Sequence, residues 1–340
     1  MKKEQGKATI YSIARRAGLS PATVSKALNN QGSVSEATVA KILSIVKETN
    51  YRPQQRRQQA QTIAVIVFKV NNRPFCDSFM AQLMGGVCFE VFQQGMTVTF
   101  VNPDEVESLS PEEFNCYCMN HGIAGVLVSN VAVDHKFTDT LRQSGIPFCM
   151  NSSSGGGEGI MSVGTNNYDS TLEILDYMIC LGHTQIAFLG LVNNQVDCHR
   201  ERYRAYCDIL QRHGIALRDE LVIDLPDAEI STIRNELIRL MSRNERPSAL
   251  FYCGEVLTRA IPILHSMGFS IPDDISIAGY KMMCDEELLF PDISSIIQPT
   301  EEIGRNAVRL LLDRIGKGEA SALTLKNKIA YGATVRNLKG

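Results

Sequence analysis

TIYSIARRAGLSPATVSKALNN, residues 9–30, holds two helix starts, one glycine turn and one exposed polar face in a single short run. Thr9 offers a side-chain oxygen to the amides that open a helix, and Ile10, Ile13, Ala14 and Ala17 follow at spacings of three and four. Gly18 supplies the left-handed residue that ends that helix. Ser20 caps a second helix, and Pro21 takes its first position, where a missing N–H costs no hydrogen bond. In this second helix Val24, Ala27 and Leu28 share the inner face, while Pro21, Ala22, Ser25, Lys26 and Asn29 fall on the other side. Ser35 caps a third helix, with Val39, Ile42, Leu43 and Val46 inward, that stops before Pro53.

A short helix that shows small polar and basic groups to solvent fits the major groove of duplex DNA. Lys26 can donate to guanine O6 or N7, and Pro21 and Ala22 can offer apolar contact to a thymine methyl. Thr23, Ser25 and Asn29 then serve phosphates or sugars, with Thr9, Tyr11, Ser20 and Ser35 beside them at the helix starts. Charge agrees with this reading. The whole chain of 340 residues has a formal charge of -3, but residues 1–60 hold eleven Lys/Arg against three Asp/Glu. The remainder holds twenty-three basic and thirty-four acidic residues, so a basic arm stands on an acidic body. A generic small helical bundle is the plain alternative, and the cap, turn and charge signals together weigh against it.

The headpiece is thus residues 1–53, and the polar, basic stretch 54–61 is a linker that cannot bury a face by itself. From Thr62 the pattern changes. TIAVIVF (62–68) is a continuous apolar run, as in a strand buried on both faces. Strand-like segments at 96–101, 125–129, 147–150, 185–189, 221–224, 249–253 and 275–279 then alternate with helix-like ones. Such alternation means parallel sheets covered by helices, an α/β body. Its length exceeds one ordinary domain, so residues 62–340 divide into two doubly wound lobes, about 62–163 with 296–320, and about 164–295 with 321–340. Ligands of such sheets bind at the carboxyl ends of the strands, here around a shared cleft.

No apolar run is long enough for a membrane span, and no apolar stretch follows the basic start as in a secretory signal, so a cytoplasmic, nucleoid-associated protein is expected. The ten cysteines are scattered without a CxxC pair and read mostly as small buried apolar groups. There is no GxSxG, HExxH or P-loop, and the six histidines lack ligand spacing, so no enzyme activity, metal or cofactor is expected.

The run ATIYSIARRAGLSPATVSKALNNQGSVSEATVAKILSIVKETNYRP (8–53) resembles the headpiece of the lactose-repressor (LacI/GalR) family almost residue for residue. The resemblance continues more weakly through IAVIV (63–67), LGHTQIAFLG (181–190), IPDDISIAGY (271–280) and SSIIQPTEEIG (294–304). It implies a repressor that binds a palindromic DNA operator as a homodimer, with a periplasmic-binding-protein-like body that takes a small sugar-like effector. In that family the positions matching Pro21, Ala22 and Lys26 read bases.

The chain departs from the family at two places. Members usually carry a hinge helix with a Leu wedge; here the linker is shorter, Ala60 stands at the wedge position, and Arg52, Arg56 and Arg57 offer minor-groove or phosphate contact instead. In the pocket, Arg202 of RYRAY (202–206) matches the family's ligand-clamping arginine, but Ala205 and Tyr206 replace its Gly and Phe. Lys281 follows Gly279-Tyr280 where the family has a sugar-binding Asp, Glu255 follows Gly254 in place of Asn-Asp, and Asn151 stands where Asp is frequent. Phe79 and Ser129 complete the candidate effector residues. Losing a carboxylate and gaining Lys281 favours a sugar acid or phosphorylated sugar; a degenerate pocket and an effector-independent regulator is the alternative.

Overall fold

Strand β1 (Thr62–Val67) alternates between two apolar layers. Ile63, Val65 and Val67 belong to one cluster of buried residues, and Ala64 and Ile66 to another. That is the pleat's period of two with both faces covered. The computed structural model describes residues 9–28, 34–49, 62–68, 78–151, 153, 159–193, 196–226, 229–254, 256–281, 292–316 and 321–339.

Among the described residues the headpiece has three helices, α1 (Ile10–Ala17), α2 (Pro21–Leu28) and α3 (Glu36–Thr49). Thr9 and Ser12 form a reciprocal cap, each side chain accepting from the other's backbone N–H at 3.2 and 2.9 Å. Gly18 ends α1 at φ 70°, in the left-handed region that favours glycine. Ile13, Ala14, Ala17, Val24, Ala27, Ile42 and Ile45 make the core. On α3, Ile42 is inward as the pattern put it, and Ile45 joins it where the pattern put Leu43.

The body has two six-stranded sheets. The first runs β11-β5-β4-β3-β1-β2, from β2 (Thr97–Val101), β3 (Ile123–Ser129), β4 (Phe148–Asn151), β5 (Met161–Thr165) and β11 (Ala322–Leu325), all parallel. The second runs β12-β10-β9-β8-β6-β7, from β6 (Ile186–Gly190), β7 (Val222–Asp224), β8 (Ala249–Tyr252), β9 (Ser276–Lys281), β10 (Ser294–Ile297) and β12 (Lys328–Ala330), with only β12 antiparallel. Among the described residues the first lobe carries α4 (Ser78–Gln93), α5 (Pro103–Val106), α6 (Pro111–Asn120), α7 (Lys136–Ser144) and α12 (Thr300–Ile315); the second carries α8 (Asn167–Cys180), α9 (Asp197–Arg212), α10 (Ile230–Met241) and α11 (Val256–Ser266).

The chain crosses between sheets three times, at 165–167, 297–300 and 325–328. This corrects one expected boundary. Residues 321–340 do not all join the second lobe, because β11 pairs with β5 and satisfies the outer edge of the first sheet. Helices α4 and α12 cross so closely that a Cβ on Gly86 would collide with the Glu301 carbonyl, and one on Gly304 with the Leu83 carbonyl. No helix of the described residues is long and apolar enough to cross a membrane.

Candidate functional site

Two sites emerge, a solvent-facing helix in the headpiece and a polar cleft between the lobes. On α2 the inner face holds Val24 and Ala27, buried in the core, and the outer face holds Ala22 and Lys26, exposed one turn apart. Pro21 and Thr23 are half-buried beside them. The start of α2 is fixed by Ser20, whose Oγ accepts from the Thr23 amide at 3.1 Å and lies 2.8 Å from the Thr23 hydroxyl. Ser35 pairs with the Thr38 hydroxyl at 2.8 Å at the start of α3. Tyr11 is 72% exposed on α1, on the outside of the bundle. Ser25 lies on α2 and is half-buried, and Thr9 is exposed. Asn29, Arg52, Arg56, Arg57 and Ala60 lie outside the described residues.

In the body, Ser129 ends β3 and Asn151 ends β4, and the Asn151 amide donates to the Ser129 hydroxyl at 3.3 Å. Both are buried, and Asn151 Oδ1 has no partner among the described residues. Just beyond, Ser153 donates to Asp197, the first residue of α9, at 2.6 Å. Arg202 lies on the same helix and is 4% exposed. Its Nε and Nη2 both donate to Asn167 Oδ1, at 3.0 and 2.9 Å, and Nη2 also donates to Gln298 Oε1 at 3.2 Å. The guanidinium rests 3.6 Å from the centroid of Tyr280, whose hydroxyl donates to the Asn167 carbonyl. Among the described residues, no carboxylate lies within ion-pair distance of Arg202. A buried cation surrounded by neutral oxygens and an aromatic face is costly to desolvate, on the order of several kcal/mol. It leaves a positive potential in the cleft.

Lys281 ends β9 next to Tyr280 and is buried as well. Phe79 packs on the first lobe's core. Glu255 lies outside the described residues. The sequence reading missed Thr165, Asn167, Gln298, Ser153, Asp197 and His199. Asn167 opens the helix after a strand that the pattern did not reveal, whereas Gln298 sits inside the quoted SSIIQPTEEIG run. Burial pushes the His199 imidazole down to about 3, the Arg202 charge adding to it, so this ring is neutral; its Nδ1 has no partner among the described residues. Burial likewise raises the Cys253 thiol to about 12, so it is inert as a nucleophile. The Tyr206 hydroxyl, where the family has Phe, donates to the Ile186 carbonyl at 2.9 Å and anchors α9 on β6.

Comparison with known proteins bears on the family and the fold. Residues 9–54 match the family model described as bacterial regulatory proteins, lacI family, and residues 175–335 match the periplasmic binding protein-like domain. The chain belongs to the LacI family. Like its relatives, this LacI-family chain is a DNA-binding transcriptional regulator and not an enzyme. It is 24% identical to catabolite control protein A of Priestia megaterium over 336 residues, covering 95% of this chain and 98% of the relative. It is 26% identical to the transcriptional repressor PurR of Photobacterium profundum, over 91% of this chain and 92% of that one. Among solved structures, the transcriptional regulator CelR in complex with cellobiose aligns with a TM-score of 0.67 at 24% identity, covering 96% of this chain and all of the other. The lac repressor dimer bound to operator aligns at 0.66 and 21% identity, covering 97% and 99%. These two alignments support the fold of headpiece and paired lobes.

Proposed function

We propose that this regulator is a repressor that binds a palindromic operator as a homodimer in the cytoplasm, at the nucleoid, and that a small sugar-like or anionic sugar-derived effector in the interlobe cleft sets its affinity. The observation that carries the DNA half is the outer face of α2, with Ala22 and Lys26 exposed opposite the core residues Val24 and Ala27. Pro21, Ala22 and Lys26 meet base edges, and Thr9, Tyr11, Ser20, Thr23, Ser25, Asn29 and Ser35 meet the sugar-phosphate backbone. Arg52, Arg56 and Arg57 follow the minor groove or phosphates between half-sites.

The dimer reading is supported by an apolar patch on one edge of the first lobe. Phe89 and Phe92 on α4 and Phe100 on the edge strand β2 are 45%, 61% and 52% exposed. Large apolar groups clustered on a surface mark an association site. The effector reading rests on Ser129, Asn151 and Lys281 at the strand ends and on Arg202 of α9, with Phe79 and Glu255 as outer candidates. CelR, solved with cellobiose, makes a sugar the first ligand to try.

Selection of bound duplexes from a randomised pool by the full-length protein tests the DNA half. A two-fold symmetric site with half-sites about 10 base pairs apart is expected, and no preference at moderate salt would overturn it. Thermal melting with a panel of sugars, sugar acids and sugar phosphates tests the cleft, since a ligand at about 100 times its Kd adds about 2.7 kcal/mol. One observation favours the effector-independent alternative: the donors on the Nε–Nη2 edge of Arg202 are already satisfied within the chain. A flat response across the panel would establish that alternative.

A further inference from the structure

Two of the three crossovers between the lobes meet at one guanidinium. Asn167 stands on the first and Gln298 on the second, and Thr165 orients both amides. Asn167 Nδ2 donates to the Thr165 carbonyl at 3.3 Å, and Gln298 Nε2 donates to the Thr165 hydroxyl at 3.1 Å. A primary amide whose nitrogen is committed on one side presents its oxygen on the other. Both oxygens face Arg202. Nε has one proton and Nη2 two, so the bonds to Asn167 and Gln298 consume that whole edge. The Tyr280 ring covers one face. A carboxylate grips arginine through two parallel N–H groups, and either way of doing so needs a proton on Nη2. Nη1 is the nitrogen with no partner among the described residues.

We propose that Asn167 and Gln298 are positioning residues that make Arg202 the tie between the cleft and the lobe crossovers. They hold its Nε–Nη2 edge, so a ligand engages Nη1 alone, and a ligand that takes an Nη2 proton must release a crossover. Occupancy of the guanidinium and closure of the lobes are thereby one equilibrium, and the coupling is reciprocal. The ligand half rests on the cleft being the effector site; the tie between crossovers rests on the chain's own contacts.

The test uses the full-length protein with no small molecule added. Small-angle scattering and operator affinity are measured for the parent, Asn167→Ala, Gln298→Ala and Gln298→Glu, with circular dichroism to confirm folding. Gln298→Ala is expected to raise the radius of gyration and to change operator affinity by about 5-fold or more. Gln298→Glu sets a carboxylate against the guanidinium and is expected to keep the radius at the parent value or below it. A folded Gln298→Ala protein with the parent's scattering curve and operator affinity would overturn the proposal, whatever Asn167→Ala does. Should the parent select no operator, the DNA reading fails, and the scattering comparison still decides the tie.

Discussion

Ser153 donates a hydrogen bond of 2.6 Å to Asp197, and the two residues belong to opposite lobes. Ser153 follows β4 of the first sheet and Asp197 opens α9 on the second, so this bond joins the two lobes away from the crossovers that meet at Arg202. A bond to a charged acceptor contributes about 1.5–3 kcal/mol when buried, and about 1 kcal/mol for a half-buried carboxylate such as this one. Ser153→Ala is expected to lose about that much in denaturant unfolding. Amide exchange should quicken at 196–202, and unchanged exchange there would show that the bond does not hold the lobes.

The pH dependence of stability follows from buried histidines. His183 Nε2 lies 3.0 Å from the Arg336 carbonyl, which can only accept, so that nitrogen carries the proton and Nδ1 accepts from the Ser248 hydroxyl at 2.9 Å. Burial holds its pKa below the ordinary 6.5, and it holds His199 at about 3. Above about 6.5 both states are neutral and the contribution is complete. Below it the unfolded chain binds protons that the folded chain refuses, so stability is lost as pH falls. The urea midpoint is expected to drop between pH 7.5 and 5.5, and His183→Gln should lower the midpoint at pH 7.5 and make the drop shallower. A midpoint that rises on acidification would contradict this assignment.

Helix crossing sets a further limit. Gly304→Ala forces its methyl against the Leu83 carbonyl of α4, backbone that cannot swing aside. Overpacking of this kind costs about 1–3 kcal/mol or more. Gly85, exposed on α4 with open space around it, is the control: Gly85→Ala is expected to gain about 0.5–1 kcal/mol from helix propensity. Thermal unfolding of the two variants should therefore move in opposite directions.

Linker arginines should report through salt. Neutralising Arg52, Arg56 and Arg57 together removes about three phosphate contacts per protomer, about six for the dimer, so the slope of log K against log salt should flatten by about 5. An unchanged slope would place these side chains away from DNA.

How far the sequence carried this account depended on distance along the chain. Thr9, Gly18 and Ser20 were legible as caps and turn because cap chemistry acts within three residues. β1 was legible because both its faces are apolar. The cleft was only half legible. Ser129, Asn151 and Lys281 stand at strand ends and Arg202 near the start of α9, but the partners of Arg202 come from 35 and 96 residues away, and the Gln298–Thr165 bond spans 133. No local pattern encodes such pairings. β11 escaped for the same reason: ALTL is too short to show a period, and its assignment comes from pairing with β5.

Lys26 remains the most direct point of attack. Full-length parent and Lys26→Ala proteins should be presented with the selected operator and its single-base-pair variants, at one fixed salt concentration. Loss of the lysine is expected to erase discrimination at one symmetric pair of positions, worth about 1–3 kcal/mol each, and to leave preference elsewhere in the site intact. An alanine variant that ranks every duplex as the parent does, at uniformly weaker affinity, would mean that Lys26 meets phosphate and that α2 does not read the groove through this residue.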